Sequence, residues 1–207
     1  MNMDLKPFRD AMEKFVAFTD AEWEIIKSYL SNGSLKKKEH FIYDGEICNS
    51  ISLITSGSVR FYHVKDGEEI TGYFVLENDW VTSYKSFIKR VPSSTNIQAI
   101  EDVSFISVSY DALQEVVGHP LLCYKMERFL RLLTEHYLCC YDDRVLTFIT
   151  QNPAERYLDL LRNGKGVLKR IPQLYFANYL GITPVSLSRI RKRIMQPAEK
   201  EVENVYL

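Results

Sequence analysis

No C-x-x-C pair occurs among the four cysteines, Cys48, Cys123, Cys139 and Cys140. The adjacent pair cannot readily close on itself, so the thiols read as reduced and mostly core, and the spacing argues against a metal or iron–sulfur role. No uninterrupted run of about 18 apolar residues is present. The opening M-N-M-D-L-K-P-F has no apolar stretch behind a basic segment. Membrane insertion and secretion are therefore not expected, and the chain is expected in the cytoplasm. His40 and His63 lack an H-x-H or H-x-D/E companion, so no metal site and no catalytic residue is read, and an enzyme is not expected. No internal repeat or low-complexity segment occurs, and only the tail P-A-E-K-E-V-E-N-V-Y-L reads as a solvated end. What is present is ordinary: 207 residues, 46% hydrophobic and 26% charged, enough for one large or two small domains with a real core.

Charge is unevenly placed. Between Gln151 and Gln196 nine lysines and arginines (Arg156, Arg162, Lys165, Lys169, Arg170, Arg189, Arg191, Lys192, Arg193) face two acids, a net +7 in a chain whose net charge is −1. A near-neutral total hides a basic end on an acidic body. Nucleic acid attracts such an end by counterion release, and the acidic body resists being wrapped by the same duplex.

Within the basic end, Q-L-Y-F-A-N-Y-L-G-I-T-P-V-S-L-S-R-I-R-K (Gln173–Lys192) has the spacing of a helix-turn-helix. Phe176, Ala177 and Leu180 recur at helical intervals, and Gly181 can take positive φ at the turn. Thr183-Pro184 reads as an N-cap followed by proline at the first helical position. In the second helix, about 183–194, Leu187, Ile190 and Ile194 must face the first, leaving Val185, Ser188, Arg189 and Lys192 outward, where they could enter a major groove.

The first 150 residues differ in texture. A helical opening over Phe8–Leu30 gives way to strand-like I-S-L-I-T, S-V-R-F-Y-H-V, E-I-T-G-Y-F-V and V-S-F-I-S-V, with turn signals at Asp44, Gly57 and Lys65. Many short strands joined by hairpins point to a barrel or jelly roll, whose interior can hold a ligand. Helical pattern returns at Tyr110. Leu122, Met126, Phe129, Leu133, His136 and Cys140 then step by alternating fours and threes, a seam suited to a partner helix or to the chain's own β domain. Asn152-Pro153 breaks this helix and starts the next, A-E-R-Y-L-D-L-L, ahead of a turn at Gly164/Gly166. The reading is an α+β chain of three parts: a jelly-roll sensor domain (1–118), a dimerisation helix (119–150) and a winged helix-turn-helix-like DNA-binding domain (151–207).

This order of elements, with F-I-Y-D-G-E-I-C-N-S-I-S-L-I-T-S-G-S-V-R-F-Y around the turn glycines Gly45 and Gly57 and with the helix-turn-helix block, resembles the Crp/Fnr family of bacterial transcription regulators over nearly the whole chain. The resemblance implies a cytoplasmic homodimer joined through the long helix at the seam from Leu122 to Cys140. It implies a recognition helix in each major groove of an inverted repeat of double-stranded DNA, and allows RNA polymerase as a further partner. The family's base-reading pattern is often E-x-x-S-R, and this chain has Val185, Ser188 and Arg189 there. Arginine can donate twice to guanine, whereas valine offers only apolar contact, so the half-site should differ. Gln173, Thr183 and Ser186 would contact phosphates by position, and Arg191, Lys192 and Arg193 are either phosphate contacts or a solvated basic surface.

In the family's cyclic-nucleotide binders a G-E pair holds the ribose, and R-S or R-T about ten residues later holds the phosphate beside a helix N-terminus. Here Asn78-Asp79 takes the G-E place, without the glycine, and Arg90-Val91-Pro92 the R-S-A place, with Ser93 or Ser94 as the replacement hydroxyl donor. Cyclic AMP is disfavoured, no cofactor is expected, and the identity of any small effector stays open. The family's iron–sulfur members share an N-terminal cysteine cluster, which this chain lacks before Cys48. Two other functions compete: a ligand-binding β-roll that does not read DNA, and a cupin-like metalloenzyme, for which the ligands are missing.

Overall fold

The helical opening expected over Phe8–Leu30 is two helices, α1 (Lys6–Glu13) and α2 (Asp20–Lys27). The break has a local cause. The Thr19 hydroxyl accepts from Glu22 N while the Glu22 carboxylate accepts from Thr19 N, a capping box that starts a fresh helix. Leu30 already belongs to a strand.

This computed structural model describes residues 4–163 and 170–195. The chain divides into two compact units. The first runs to Glu69 and resumes over Tyr73–Asp142; the second takes Ile70–Gly72 and the chain from Asp143 onward.

Eight strands, which belong to the first unit except for Ile70–Gly72 of the fifth, form two four-stranded sheets. These are β1 (Leu30–Leu35), β2 (His40–Ile42), β3 (Ser50–Ser56), β4 (Val59–Lys65), β5 (Glu68–Val75), β6 (Trp80–Val81), β7 (Asn96–Ala99) and β8 (Val103–Ser109). The sheet orders are β1-β8-β3-β6 and β2-β7-β4-β5. The four strand-like segments of the sequence are β3, β4, β5 and β8. The other four strands are short or, like L-S-N-G-S-L of β1, poor in branched residues, and tertiary pairing holds them. Two turns depend on their backbone. Asp66 and Gly67 both have positive φ, as a two-residue hairpin loop needs, and a Cβ on Gly57 would stand 2.3 Å from the Asp102 carbonyl.

The paired residues Ile51/Val108 and Leu53/Ile106 lie on one face of the first sheet and enter a core with Phe8, Met12 and Ile26 of the opening helices. Ser52 and Ser107 face the other way and bond through their hydroxyls at 2.9 Å. A cavity of about 20 Å³ in the core is lined by apolar side chains, among them Phe8, Trp80 and Phe129; it has room for about one water and none for an effector. Helices α3 (Tyr84–Lys89) and α4 (Tyr110–Gly118) follow β6 and β8, and α5 (Cys123–Thr150) comes last.

Helix α5 corrects the expected dimer seam. Leu122, Met126, Phe129 and Leu133 are buried in the chain's own core, where Phe129 meets Phe15 and Trp80 edge-on or tilted, so they are closed to a second chain. His136 packs its ring on Phe15, and the Cys140 thiol lies 3.8 Å from His136 Nε2. A repeat of threes and fours reports an apolar stripe and not what covers it.

The second unit holds the last turns of α5, α6 (Pro153–Asn163), α7 (Gln173–Tyr179) and α8 (Pro184–Met195). The Asn152 side chain accepts from Ala154 N and Glu155 N, and the Glu155 carboxylate accepts from Asn152 N, so the Asn152-Pro153 break expected from sequence is a helix cap. The division between units falls inside α5, between Asp142 and Asp143. The Gly164/Gly166 turn, Lys165, Lys169 and the tail beyond Met195 lie outside the described residues.

Candidate nucleic-acid interface

Helices α7 and α8 are joined by a corner whose hydrogen bonds follow from its residues. Leu180 caps α7, Gly181 N donates to Asn178 O at 2.9 Å, and Ile182 N donates to Ala177 O at 3.0 Å. This pair of bonds is a Schellman motif, which needs the left-handed residue that Gly181 provides at φ 72°. Thr183 then caps α8: its hydroxyl accepts from Ser186 N at 3.2 Å and meets Ser186 Oγ at 3.0 Å. Phe176, Ala177, Leu180 and Leu187 are buried beneath the corner, with Tyr157 of α6 edge-on to Phe176.

Burial sorts the residues of α8. Leu187 is 0% exposed and Ile190 and Ile194 are half-buried, whereas Val185 is 60% exposed and Ser188, Arg189, Lys192 and Arg193 are exposed. At about 100° per residue, Val185, Ser188, Arg189 and Lys192 share the face opposite Leu187. Gln173 is exposed at the start of α7, and Ser186 is half-buried with its hydroxyl on Thr183. Arg191 departs from the expectation of a solvent-facing arginine. It is half-buried on the inward flank, its guanidinium 5.7 Å from the Tyr157 ring centroid.

Two arginines that sequence reasoning missed support the corner. Arg156, counted above among the nine basic residues of this end, is only 7% exposed. It donates to Leu180 O at 2.9 Å, Gln151 O at 2.5 Å and Phe148 O at 3.4 Å, with its guanidinium over the Phe148 ring. Arg144 donates to Tyr179 O at 2.6 Å and stacks on the Tyr179 ring at 3.6 Å. Burial raises the Tyr179 phenol pKa, which the Arg144 charge partly opposes, so the ring stays neutral beneath that cation. These cations take the orphan carbonyls at the end of α7, where a helix favours positive charge. Their spacing from the motif, 24 residues for Arg156 to Leu180, left no local signal.

The positions expected to hold an effector are not brought together. Asn78 and Asp79 form the β5–β6 turn: Asn78 N donates to Ile54 O, Asp79 O accepts from Ile54 N, and Asn78 lines a surface groove with Asp10 and Lys14 of the N-terminal segment. Arg90 ends α3 in the left-handed region, donates to Cys48 O at 2.7 Å and to the Asn49 side chain, and lies 4.1 Å over the Tyr110 ring. Buried Ser93 bonds Ser83 Oγ at 2.8 Å and donates to Thr95 O at 2.8 Å. Ser94 is exposed, and its carbonyl accepts from His63 Nδ1. Ser83, directly before α3, faces Ser93 ten residues later. A cyclic phosphate asks for several unengaged donors aimed at one point; Arg90 and Ser93 spend theirs on the domain itself, and these residues do not fit that group.

His40 stacks on Tyr43 and meets Tyr62 OH at 2.9 Å through Nε2. Among the described residues no group of three or more His, Cys, Asp or Glu is placed to hold a metal, and no helix is long and apolar enough to cross a membrane.

Residues 33–119 match the family model of the cyclic nucleotide-binding domain. No curated protein matches the chain at significant sequence similarity. Solved structures match it in fold. FixK2 from Bradyrhizobium japonicum is 20% identical with a TM-score of 0.69, the match covering 82% of this chain and 86% of that one. The c-di-GMP responsive global regulator CLP of Xanthomonas campestris is 13% identical with a TM-score of 0.69 (86% and 92% covered). The catabolite activator protein of Thermus thermophilus is 19% identical with a TM-score of 0.54 (91% and 88% covered). Residues 33–119 thus match the cyclic nucleotide-binding domain, and the chain shares the fold of these three regulators.

Proposed function

We propose that the chain is a sequence-specific DNA-binding transcription regulator that acts as a homodimer and reads an inverted repeat with α8. The observation that carries this is the outer face of α8. Val185, Ser188, Arg189 and Lys192 are exposed together, on a helix whose other face is held by Leu187 and whose start is held by a capped, glycine-turned corner. Arg189 is the base reader, with its fork suited to guanine O6 and N7, and Val185 meets a thymine methyl or a similar apolar edge. Gln173, Thr183, Ser186, Lys192 and Arg193 face the phosphates; Arg191 is a support for the helix.

Dimerisation uses the other side of α5. Leu138 (65% exposed), Tyr141, Val145 and Ile149 (77%) form an exposed apolar stripe, stepping by three, four and four residues. It is centred about 135° round the helix from the seam that enters the core. A helical face of this kind on a soluble chain marks an interface.

The β domain acts without a cyclic nucleotide, because its donors are engaged internally. The test is selection of bound sequences from a random duplex library with purified protein and no added ligand, followed by affinity at rising salt. An enriched palindrome with a steep salt dependence is expected. Weak, unselective binding with or without cyclic nucleotides would sink the reading.

A further inference from the structure

The last two turns of α5 carry, on adjacent faces, two things the reading above treats separately. Val145 and Ile149 belong to the exposed stripe. Arg144 and Phe148, each one residue earlier, belong to the support of the helix-turn-helix corner. All lie in one compact unit with α6, α7 and α8.

The support is a layered clamp. The Arg144 guanidinium sits 5.1 Å from the Phe148 ring centroid and 3.6 Å from that of Tyr179, while Arg156 covers Phe148 at 4.4 Å. Both arginines donate to consecutive carbonyls of the corner, Tyr179 O and Leu180 O. The Phe148 ring edge reaches the turn itself, since a Cβ on Gly181 would lie 3.0 Å from Phe148 Cζ. A planar guanidinium can stack and donate at once, which an ammonium cannot, so the residue type matters here. Three kinds of contact thus converge on Tyr179, Leu180 and Gly181, where α7 turns towards α8.

We propose that Arg144, Arg156 and Phe148 are positioning residues that lock the helix-turn-helix corner to the dimer-forming turns of α5. The distance between the two recognition helices, and hence the half-site spacing that the dimer accepts, is then set by this clamp. None of the three touches DNA. This rests on the dimeric-reader reading above, and it assigns spacing selectivity to residues outside the recognition helix.

The experiment compares the intact protein with Arg144→Ala and Arg144→Lys on the selected palindrome and on versions with one base pair added or removed between the half-sites. An inserted base pair turns one half-site by about 35° and shifts it by about 3.4 Å. The intact dimer should lose about tenfold or more in affinity on either altered spacer, and both variants should lose less than about threefold while keeping the same base preferences within each half-site. Arg144→Lys should fail to restore the discrimination, because it keeps the charge without the stack. If the variants instead weaken on every spacer in parallel, with discrimination intact, Arg144 is merely structural and the inference falls.

Amide hydrogen exchange supplies a readout that needs no DNA. In Arg144→Ala, and in Phe148→Leu should the first variant fold poorly, protection at 145–150 and at 176–182 should fall together. Unchanged protection in both segments would overturn the clamp. An intact protein that selects no palindrome overturns the reader itself, and the exchange experiment then still decides whether the clamp exists.

Discussion

Arg90 in the β domain and Arg189 in the second unit carry the same guanidinium, each in a stretch that family resemblance marks for a phosphate-bearing ligand. Arg90 turns back onto its own domain, donating to Cys48 O and covering Tyr110, and Ser93 beside it is spent on Ser83 and Thr95. Arg189 stands exposed on a helix that is held entirely from behind. A ligand site therefore needs more than the right residue types. The scaffold must satisfy its own backbone with other groups and leave the reading side chains unspent, as Arg144 and Arg156 do for the corner carbonyls.

The comparison can be broken most severely from behind the reader. Leu187→Asp places an unpaired charge at a fully buried position and should cost about 3–5 kcal/mol, unfolding the second unit. Calorimetry should then show the β-domain transition surviving alone; loss of both transitions would mean that the two units do not fold separately. Arg156→Met keeps bulk while leaving the Leu180 and Gln151 carbonyls without their donor, for about 2–3 kcal/mol. A denaturation midpoint for the second unit shifted by less than half of that would show that water replaces the guanidinium.

Arg189→Ala should cost about 1–3 kcal/mol on the selected site, relax one base position and leave thermal stability unchanged. Equal loss on random DNA would reduce Arg189 to a backbone contact. Its counterpart, Arg90→Ala, should do the reverse, lowering β-domain stability by about 1–2 kcal/mol with no change in DNA affinity.

The smallest effect sharpens the β-domain side. Burial first, and the Arg60 charge second, hold the His40 pKa below its ordinary 6.5. His40 Nδ1 is buried without a hydrogen-bond partner among the described residues, so a proton there has nothing to meet. The unfolded chain takes up that proton more readily. The stabilising contribution is therefore complete above the unfolded pKa and is lost as pH falls toward the folded value. Unfolding of the intact protein and of His40→Gln between about pH 7.5 and 5 should show a shallower acid limb for the variant; parallel curves would place the titration elsewhere.

Much of this was legible beforehand, and the exceptions have a common cause. The corner Leu180-Gly181-Ile182-Thr183-Pro184 was legible because turn, cap and first helical position are set by neighbours within five residues. Strands β3, β4, β5 and β8 were legible for a similar reason, since alternation and hairpin turns are local. The seam from Leu122 to Leu133 is legible as apolar but its cover is not, and Leu138, Tyr141, Val145 and Ile149, about 135° round the same helix, form a second apolar face that stays exposed. Periodicity reports that a face is apolar, and coverage is a property of what folds over it.

By itself the sequence determined the order of elements, the helix-turn-helix corner, the outward set Val185, Ser188, Arg189 and Lys192, and the uneven charge, because each depends on residue type and on spacing within a turn or two. Only the tertiary structure decided that Arg156 and Arg191 lie inward, that Ser83 and Ser93 close on each other, and which side of α5 is left uncovered. Those outcomes depend on groups distant in the chain competing for the same donors, carbonyls and apolar surface, and the winner is settled by packing.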